Sequence, residues 1–300
     1  MPSRFSSVEA ASSALEQAGY IASDPIATTV YLADALGKPF LVEGPAGVGK
    51  TELSKAVATA TGAELIRLQC YEGVDEARAL YEWNHAKQLL RITAAGAHHD
   101  PGSGADEADW GRVKEDIFTD EFLLDRPLLK AVRADHPTVL LIDELDKADV
   151  EIEGLLLEVL SDFAVTVPEL GTIQARHTPF VVLTSNATRE LSEALRRRCL
   201  YLHIDYPEAA LEQRIVSLKV PDLDATLSES VVRLVGALRE MRLRKSPSVA
   251  ETIDWARTLI ALGGDRLDPE LVSSTLGVLL KHQEDIDTAT AKLDLTRGLA

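Results

Sequence analysis

Residues 44–51 read Gly-Pro-Ala-Gly-Val-Gly-Lys-Thr and follow directly on the short apolar run Pro39-Phe40-Leu41-Val42-Glu43. No other stretch restricts the fold as strongly. Glycine, four residues, then Gly-Lys-Thr is the spacing of a strand–loop–helix unit whose backbone amides surround a polyphosphate. The glycines let N–H groups turn inward where a side chain would stand in the way. The helix predicted from Lys50 to about Thr61 points its positive end at the same anion. On this reading Gly44, Pro45, Ala46, Gly47, Val48, Gly49, Lys50, Thr51 and Glu52 bind nucleotide. Lys50 reaches the β- and γ-phosphates and Thr51 ligates Mg2+. A glycine-rich loop that binds nothing is the plainer alternative; the strand before it and the helix after it argue against that.

Such a unit belongs in a parallel sheet, and the chain supplies the strands. Glu64–Gln69, Thr138–Ile142, Phe180–Thr184 and Leu200–Ile204 are short apolar or mixed runs bounded by turn residues. Helical patterns lie between them: Ile152, Leu156, Val159, Leu160 and Phe163 share one helical face. Strands alternating with helices predict an α/β domain with a parallel five-stranded sheet. After Tyr206-Pro207 the strand signals stop, and four helices are predicted at roughly 208–219, 227–243, 248–262 and 268–282. The expected division is an α/β nucleotide-binding domain over 1–206 and a helical domain over 207–300. Gly96–Gly111 reads as a loop.

Chemistry gathers at the strand ends. The most apolar strand closes on Asp143-Glu144. Two carboxylates there are costly unless a cation or ligand engages them. Asp143 fits an Mg2+-coordinating carboxylate, and Glu144 then activates the attacking water. Capping of the next helix is the bland alternative. The following strand ends in Thr184-Ser185-Asn186, where the Asn186 amide can hold that water or merely stabilise a turn. Leu195-Arg196-Arg197-Arg198-Cys199 opens the fifth strand. Its arginines face solvent, an acid or a neighbouring subunit's γ-phosphate.

The chain carries 31 basic and 48 acidic residues, a net charge of −17. That disfavours non-specific nucleic-acid binding and anionic membrane surfaces. No apolar run reaches spanning length, and the start lacks a signal-peptide core, so neither nucleic acid nor membrane insertion is expected. Two cysteines without a secretory context point to the reducing cytoplasm. Residues 100–125 hold nine acids against Arg112 and Lys114; a solvated loop is the ordinary reading, an acidic face for a partner protein the sharper one.

Together these residues resemble an AAA+ ATPase, in particular the MoxR family. The resemblance spans nearly the whole chain and is most specific in GYIASDPIATTVYLADALGKPFLVEGPAGVGKTELSKAVA, LQCYEGVDEARALYEWNHAKQLLRI, DRPLLKAV, VLLIDELDKAD and LTSNATRELSEALRRRCLYLHIDYP. YEWN and PSVAETIDWA resemble the branch found beside maturation proteins of carbon monoxide dehydrogenase and related molybdenum hydroxylases. The resemblance implies that Tyr20 and Ile21 touch adenine and that Asn186 is sensor 1. It implies an insertion over 69–95, a hairpin over Val165–Gln174 and a lid after 206. It makes Arg198 the arginine finger, although Arg197 stands where the family has Asp, which leaves the choice between them open. The family's sensor 2 arginine is missing from Ser246–Glu251; Arg244 and Lys245 lie just upstream.

Further implications are ATP and Mg2+ as cofactors, a ring that is a homo-hexamer, and a partner with a von Willebrand factor A domain. The task implied is remodelling or metal loading of a client enzyme complex. A nucleotide-gated scaffold with incidental turnover and a nucleic-acid-driven motor are the competing readings, and the loop alone does not separate ATP from GTP. Weaker signals read as structure. His98-His99-Asp100 lacks a second ligand pair, Cys70 is a buried small side chain, and Trp255 is core. Trp83 packs within the insertion or meets a partner. Arg239, Arg242, Arg244 and Lys245 are a basic helix end.

Overall fold

The computed structural model describes residues 3–97 and 116–295. Its elements, in chain order, are α1 (Val8–Gln17), α2 (Asp24–Leu36), β1 (Phe40–Glu43), α3 (Lys50–Thr61), β2 (Glu64–Gln69), α4 (Glu76–Ala79), β3 (Tyr81–Trp83), α5 (His85–Ala97), β4 (Leu123–Asp125), α6 (Pro127–Arg133), β5 (Thr138–Asp143), α7 (Val150–Asp162), β6 (Ala164–Val167), β7 (Gly171–Gln174), β8 (Phe180–Ser185), α8 (Glu193–Arg198) and β9 (Leu200–His203). Five helices follow: α9 (Ala209–Lys219), α10 (Ala225–Arg239), α11 (Val249–Ala261), α12 (Pro269–Leu279) and α13 (Gln283–Leu295).

The five expected strands form one parallel sheet in the order β2-β5-β8-β1-β9. β5, β8 and β1 are buried along their whole length, the consequence of helices on both faces. Alternate side chains divide between two cores. Leu41, Leu140, Ile142, Val181 and Leu183 pack on one face with α6 and α7. Phe40, Val42, Val139, Leu141, Phe180 and Val182 pack on the other with α1, α2 and α3. Phe40 and Phe180 meet edge to face at 5.7 Å.

The insertion folds as α4, β3 and α5, with β3 paired antiparallel to β4. Trp83 packs against Phe118, which lies beyond the insertion and just before β4, ring centroids 5.2 Å apart. β6 and β7 form the expected hairpin. The C-terminal helices bury their own core, including Val216, Val231, Leu238, Trp255, Leu259 and Leu276. The Trp255 indole donates to Thr275 Oγ1 at 2.8 Å, so it is core, as expected.

Three expectations need correction. The arginine run does not open a strand: Arg196–Arg198 close α8, capped at its start by Ser192, and β9 begins at Leu200. A fifth terminal helix, α13, follows the four expected. The helix expected over 227–243 ends at Arg239. Arg242, Arg244 and Lys245 therefore lie beyond it, and the Arg244 and Lys245 amides are bound by the Asp285 carboxylate. His98-His99-Asp100 and most of the acidic stretch 100–125 lie outside the described residues.

Candidate functional site: a nucleotide cleft at the strand ends

The turn after β1 is tight enough to require its glycines. A Cβ on Gly44 would sit 1.9 Å from the Ile204 carbonyl oxygen. Gly47 and Gly49 have φ of +76° and +98°, values that favour glycine. The loop wraps the Lys50 ammonium, whose Nζ donates to the carbonyls of Gly44 (2.6 Å) and Pro45 (2.7 Å) and to Asn186 Oδ1 (2.8 Å). Burial pushes the Lys50 ammonium below its usual pKa, partly offset by the nearby carboxylates of Asp146, Asp143 and Glu144.

Asp143, at the end of β5, is buried among donors. Its carboxylate accepts from Thr51 Oγ1 (3.0 and 3.2 Å), Thr184 Oγ1 (2.6 Å) and Arg67 Nη2 (2.5 Å). Glu144 follows with φ +56°, an unusual conformation for a side-chain-bearing residue and one that collects at functional sites. Its amide donates to Thr184 Oγ1 at 2.9 Å. Its carboxylate stays part-exposed and accepts from Lys147 Nζ (2.7 Å) and Gln69 Nε2 (3.0 Å).

Asn186 is held from behind. Its amide donates to Asp146 Oδ1 at 3.0 Å, while Thr188 donates to Asp146 Oδ2 through its amide and hydroxyl. Burial raises the Asp146 carboxyl, but these hydrogen bonds outweigh it and leave the pKa below the ordinary value.

The cleft has a volume of about 620 Å³, and its walls include Tyr20, Ile21, Tyr206, Leu211, Val249 and Ile253 beside the loop. Its size suits a small-molecule site. Burial, with Glu52 nearby, raises the Tyr20 phenol well above its usual pKa. The far wall comes from the C-terminal helices. The Ala250 amide donates to the Gly47 carbonyl at 3.3 Å, and a Cβ on Gly47 would overlap Ser248, 2.4 Å from its Oγ. Ser248 starts α11 with a capping box to Glu251. Behind it, buried Glu212 accepts from both Arg239 terminal nitrogens (2.5 and 2.8 Å) and from Thr252 Oγ1 (2.9 Å). Arg239 Nε donates to the Pro247 carbonyl at 2.8 Å, and its guanidinium lies 4.6 Å from the Tyr206 ring centroid.

The three arginines divide. Arg196 forks onto Glu43, Arg197 pairs with Glu193 in solvent, and Arg198 is exposed, donating through Nε to Ser161 Oγ at 2.9 Å. The expected residues Lys50, Thr51, Asp143, Glu144 and Asn186 thus converge at one end of the sheet, with Tyr20 and Ile21 on the cleft wall. Arg197 and Arg198 do not line it, and Arg244 and Lys245 are also absent from the described lining.

Sequence reasoning missed Arg67, Gln69, Asp146, Lys147 and Thr184. The available signal was alternation: Arg67 and Gln69 are two apart near the end of β2, and Gln69 lies level with Asp143 on β5. The donor set suits the expected ligands. Thr51 Oγ1 and the Asp143 carboxylate are hard oxygen donors side by side, the kind Mg2+ takes together with phosphate oxygens and water. The loop amides and Lys50 suit a polyphosphate.

The family described as "ATPase family associated with various cellular activities (AAA)" matches residues 40–206. The chaperone protein ClpB 2 of Parasynechococcus marenigrum is 34% identical over 147 residues, 49% of this chain but only 13% of that protein. The uncharacterized protein SH1500 of Staphylococcus haemolyticus is 25% identical over 234 residues, 76% of this chain and 77% of that one. Among solved structures, the Thermotoga maritima RuvB Holliday junction branch migration motor aligns with a TM-score of 0.46 at 18% identity, over 85% of this chain and 67% of that chain.

Proposed function

Because the chain belongs to the AAA family of ATPases, we propose that it couples ATP binding and hydrolysis in a ring to the remodelling of a client protein complex. The observation that carries this reading is the seating of α11 on the phosphate loop, Ala250 N–H to Gly47 C=O at 3.3 Å. A change in the loop then reaches the terminal helices through direct backbone contact. We read residues 1–206 as the nucleotide-binding domain and 207–300 as a lid.

Bound Mg-ATP supplies the anhydride to be cleaved and the metal charge that neutralises it. The loop amides and Lys50 hold the phosphates, and Thr51 and Asp143 hold Mg2+. Glu144 takes a proton from the attacking water, which Asn186 helps to place. Arg198 reaches the site of the next subunit in a homo-hexamer. Tyr20 and Ile21 meet the base.

The finer reading is MoxR-like: a cytoplasmic ring that works through a von Willebrand factor A domain protein on a client enzyme complex, with metal-cofactor loading as the task. The competing scaffold reading, in which ATP holds a complex together, draws on the absence of an arginine from the Ser246–Glu251 stretch against Gly47. Glu144→Gln separates the two: ATP binding persists, phosphate release stops, and client maturation stops with it. Client maturation surviving that substitution sinks the remodelling reading.

A further inference from the structure

Glu43 is the last residue of β1 and immediately precedes Gly44, yet its side chain is only 7% exposed. It faces Arg196, which donates from Nη1 to Oε1 at 3.0 Å and from Nη2 to Oε2 at 3.3 Å. The Arg196 guanidinium also lies 5.3 Å from the Tyr201 ring centroid. A buried carboxylate beside an arginine is weak evidence of stability, because desolvation offsets much of the attraction. Its geometry is specific, however: the planar guanidinium fork fixes both distance and angle.

Arg196 and Arg198 are two residues apart in α8, so at about 100° per residue they point to nearly opposite sides of the helix. One is pinned to the strand that carries the phosphate loop. The other is exposed, resting on Ser161 at the end of α7 and on the Ala194 carbonyl. Glu43 is fixed in turn, since its carbonyl accepts from the Ile204 amide at 2.8 Å.

We propose that the Glu43–Arg196 pair sets the position of Arg198 from the chain's own phosphate loop, which makes Arg196 a positioning residue for the neighbouring subunit's site. This rests on the reading of Arg198 as an arginine acting across a subunit boundary. Movement of the loop is then carried through Glu43 and α8 to the arginine offered next door.

The test is subunit mixing. Arg196→Met leaves Glu43 without its partner and lowers the melting temperature, yet at about 25 °C the folded protein keeps nucleotide affinity within about twofold while ATPase falls tenfold or more. Mixed with Glu144→Gln subunits, whose own sites are silent and whose arginines are intact, it regains ATPase above the sum of the separate proteins. Arg198→Ala mixed with Glu144→Gln is the control and regains activity in the same way. Recovery with Arg198→Ala but none with Arg196→Met overturns the proposal. No recovery with Arg198→Ala overturns the cross-subunit reading itself. Should Arg196→Met not fold, Arg196→Lys keeps the charge, loses the fork and must show the same recovery.

Discussion

Lys50 Nζ stands 2.8 Å from Asn186 Oδ1, tying the phosphate loop to the end of β8. One cation is shared between the loop carbonyls and the residue proposed to place the attacking water. Asn186→Ala therefore acts in two ways. It removes a polar contact to the water, and it frees Lys50 from one partner. ATPase is expected to fall about 10²- to 10³-fold, the range for loss of one preorganised polar group at the reacting centre, while ATP affinity changes little. A loss of affinity that matches the loss of turnover would show that Asn186 serves only to build the loop.

Arg67 competes for the carboxylate assigned to Mg2+. Its Nη2 lies 2.5 Å from Asp143 Oδ2, but half of the arginine side chain is exposed. Solvent screening limits such a pair to about 0.2–1 kcal/mol. Arg67→Met is expected to lower the half-saturating Mg2+ concentration by about 1.4- to 5-fold. Titration of ATPase or nucleotide binding with Mg2+ reads this directly, and a higher Mg2+ requirement contradicts it.

Arg239 and Glu212 form the most enclosed ion pair in the terminal helices, with side-chain exposures of 12% and 1%. Removing one partner leaves the other buried and uncompensated. Arg239→Met is expected to cost about 3–5 kcal/mol, and Arg239→Met with Glu212→Leu distinctly less. Urea unfolding followed by far-UV circular dichroism measures both. Equal losses for the single and double variants would mean that packing against Tyr206 dominates.

Acid sensitivity follows from Asp146. Its folded pKa lies below the ordinary carboxylate value because hydrogen bonds from Thr188 and Asn186 outweigh burial. Near the unfolded pKa the unfolded chain binds more protons. The stabilisation is therefore present above about pH 4 and is lost as pH falls through the lowered folded value. Asp146→Asn is expected to be less stable at pH 7 and to show a shallower acid slope in urea unfolding across about pH 5 to 2. An unchanged slope would remove Asp146 from that account.

The sheet was legible because β5 and β8 are apolar on both faces, a signature that survives without tertiary information. The helix over Arg196–Arg198 was not: three arginines read as a solvated strand entry, and only contact with Glu43 shows that one turns inward. α13 escaped notice because few apolar residues mark it, with Ala289 fully buried and Ile286 and Leu293 packed at the margin. Within the site, Lys50, Thr51, Asp143, Glu144 and Asn186 announce themselves by motif and by strand end. Arg67 and Gln69 depend on the pairing of β2 with β5, and Asp146 depends on a turn that brings Thr188 back to it. Neither relationship has a local sequence signature.

Gly44 leaves no room for even a methyl group against the Ile204 carbonyl, and Ile204 is bonded to Glu43. The chain is therefore anchored at Ile204 up to the last atom before it departs for the terminal helices. Only residues 205–208, with Pro207 among them, lie outside regular structure between that anchor and α9. Any swing of the terminal helices has its fulcrum in those four residues. A lengthened tether there would free that fulcrum and displace Tyr206 from the cleft wall, leaving the Ala250–Gly47 bond to hold the terminal helices to the loop.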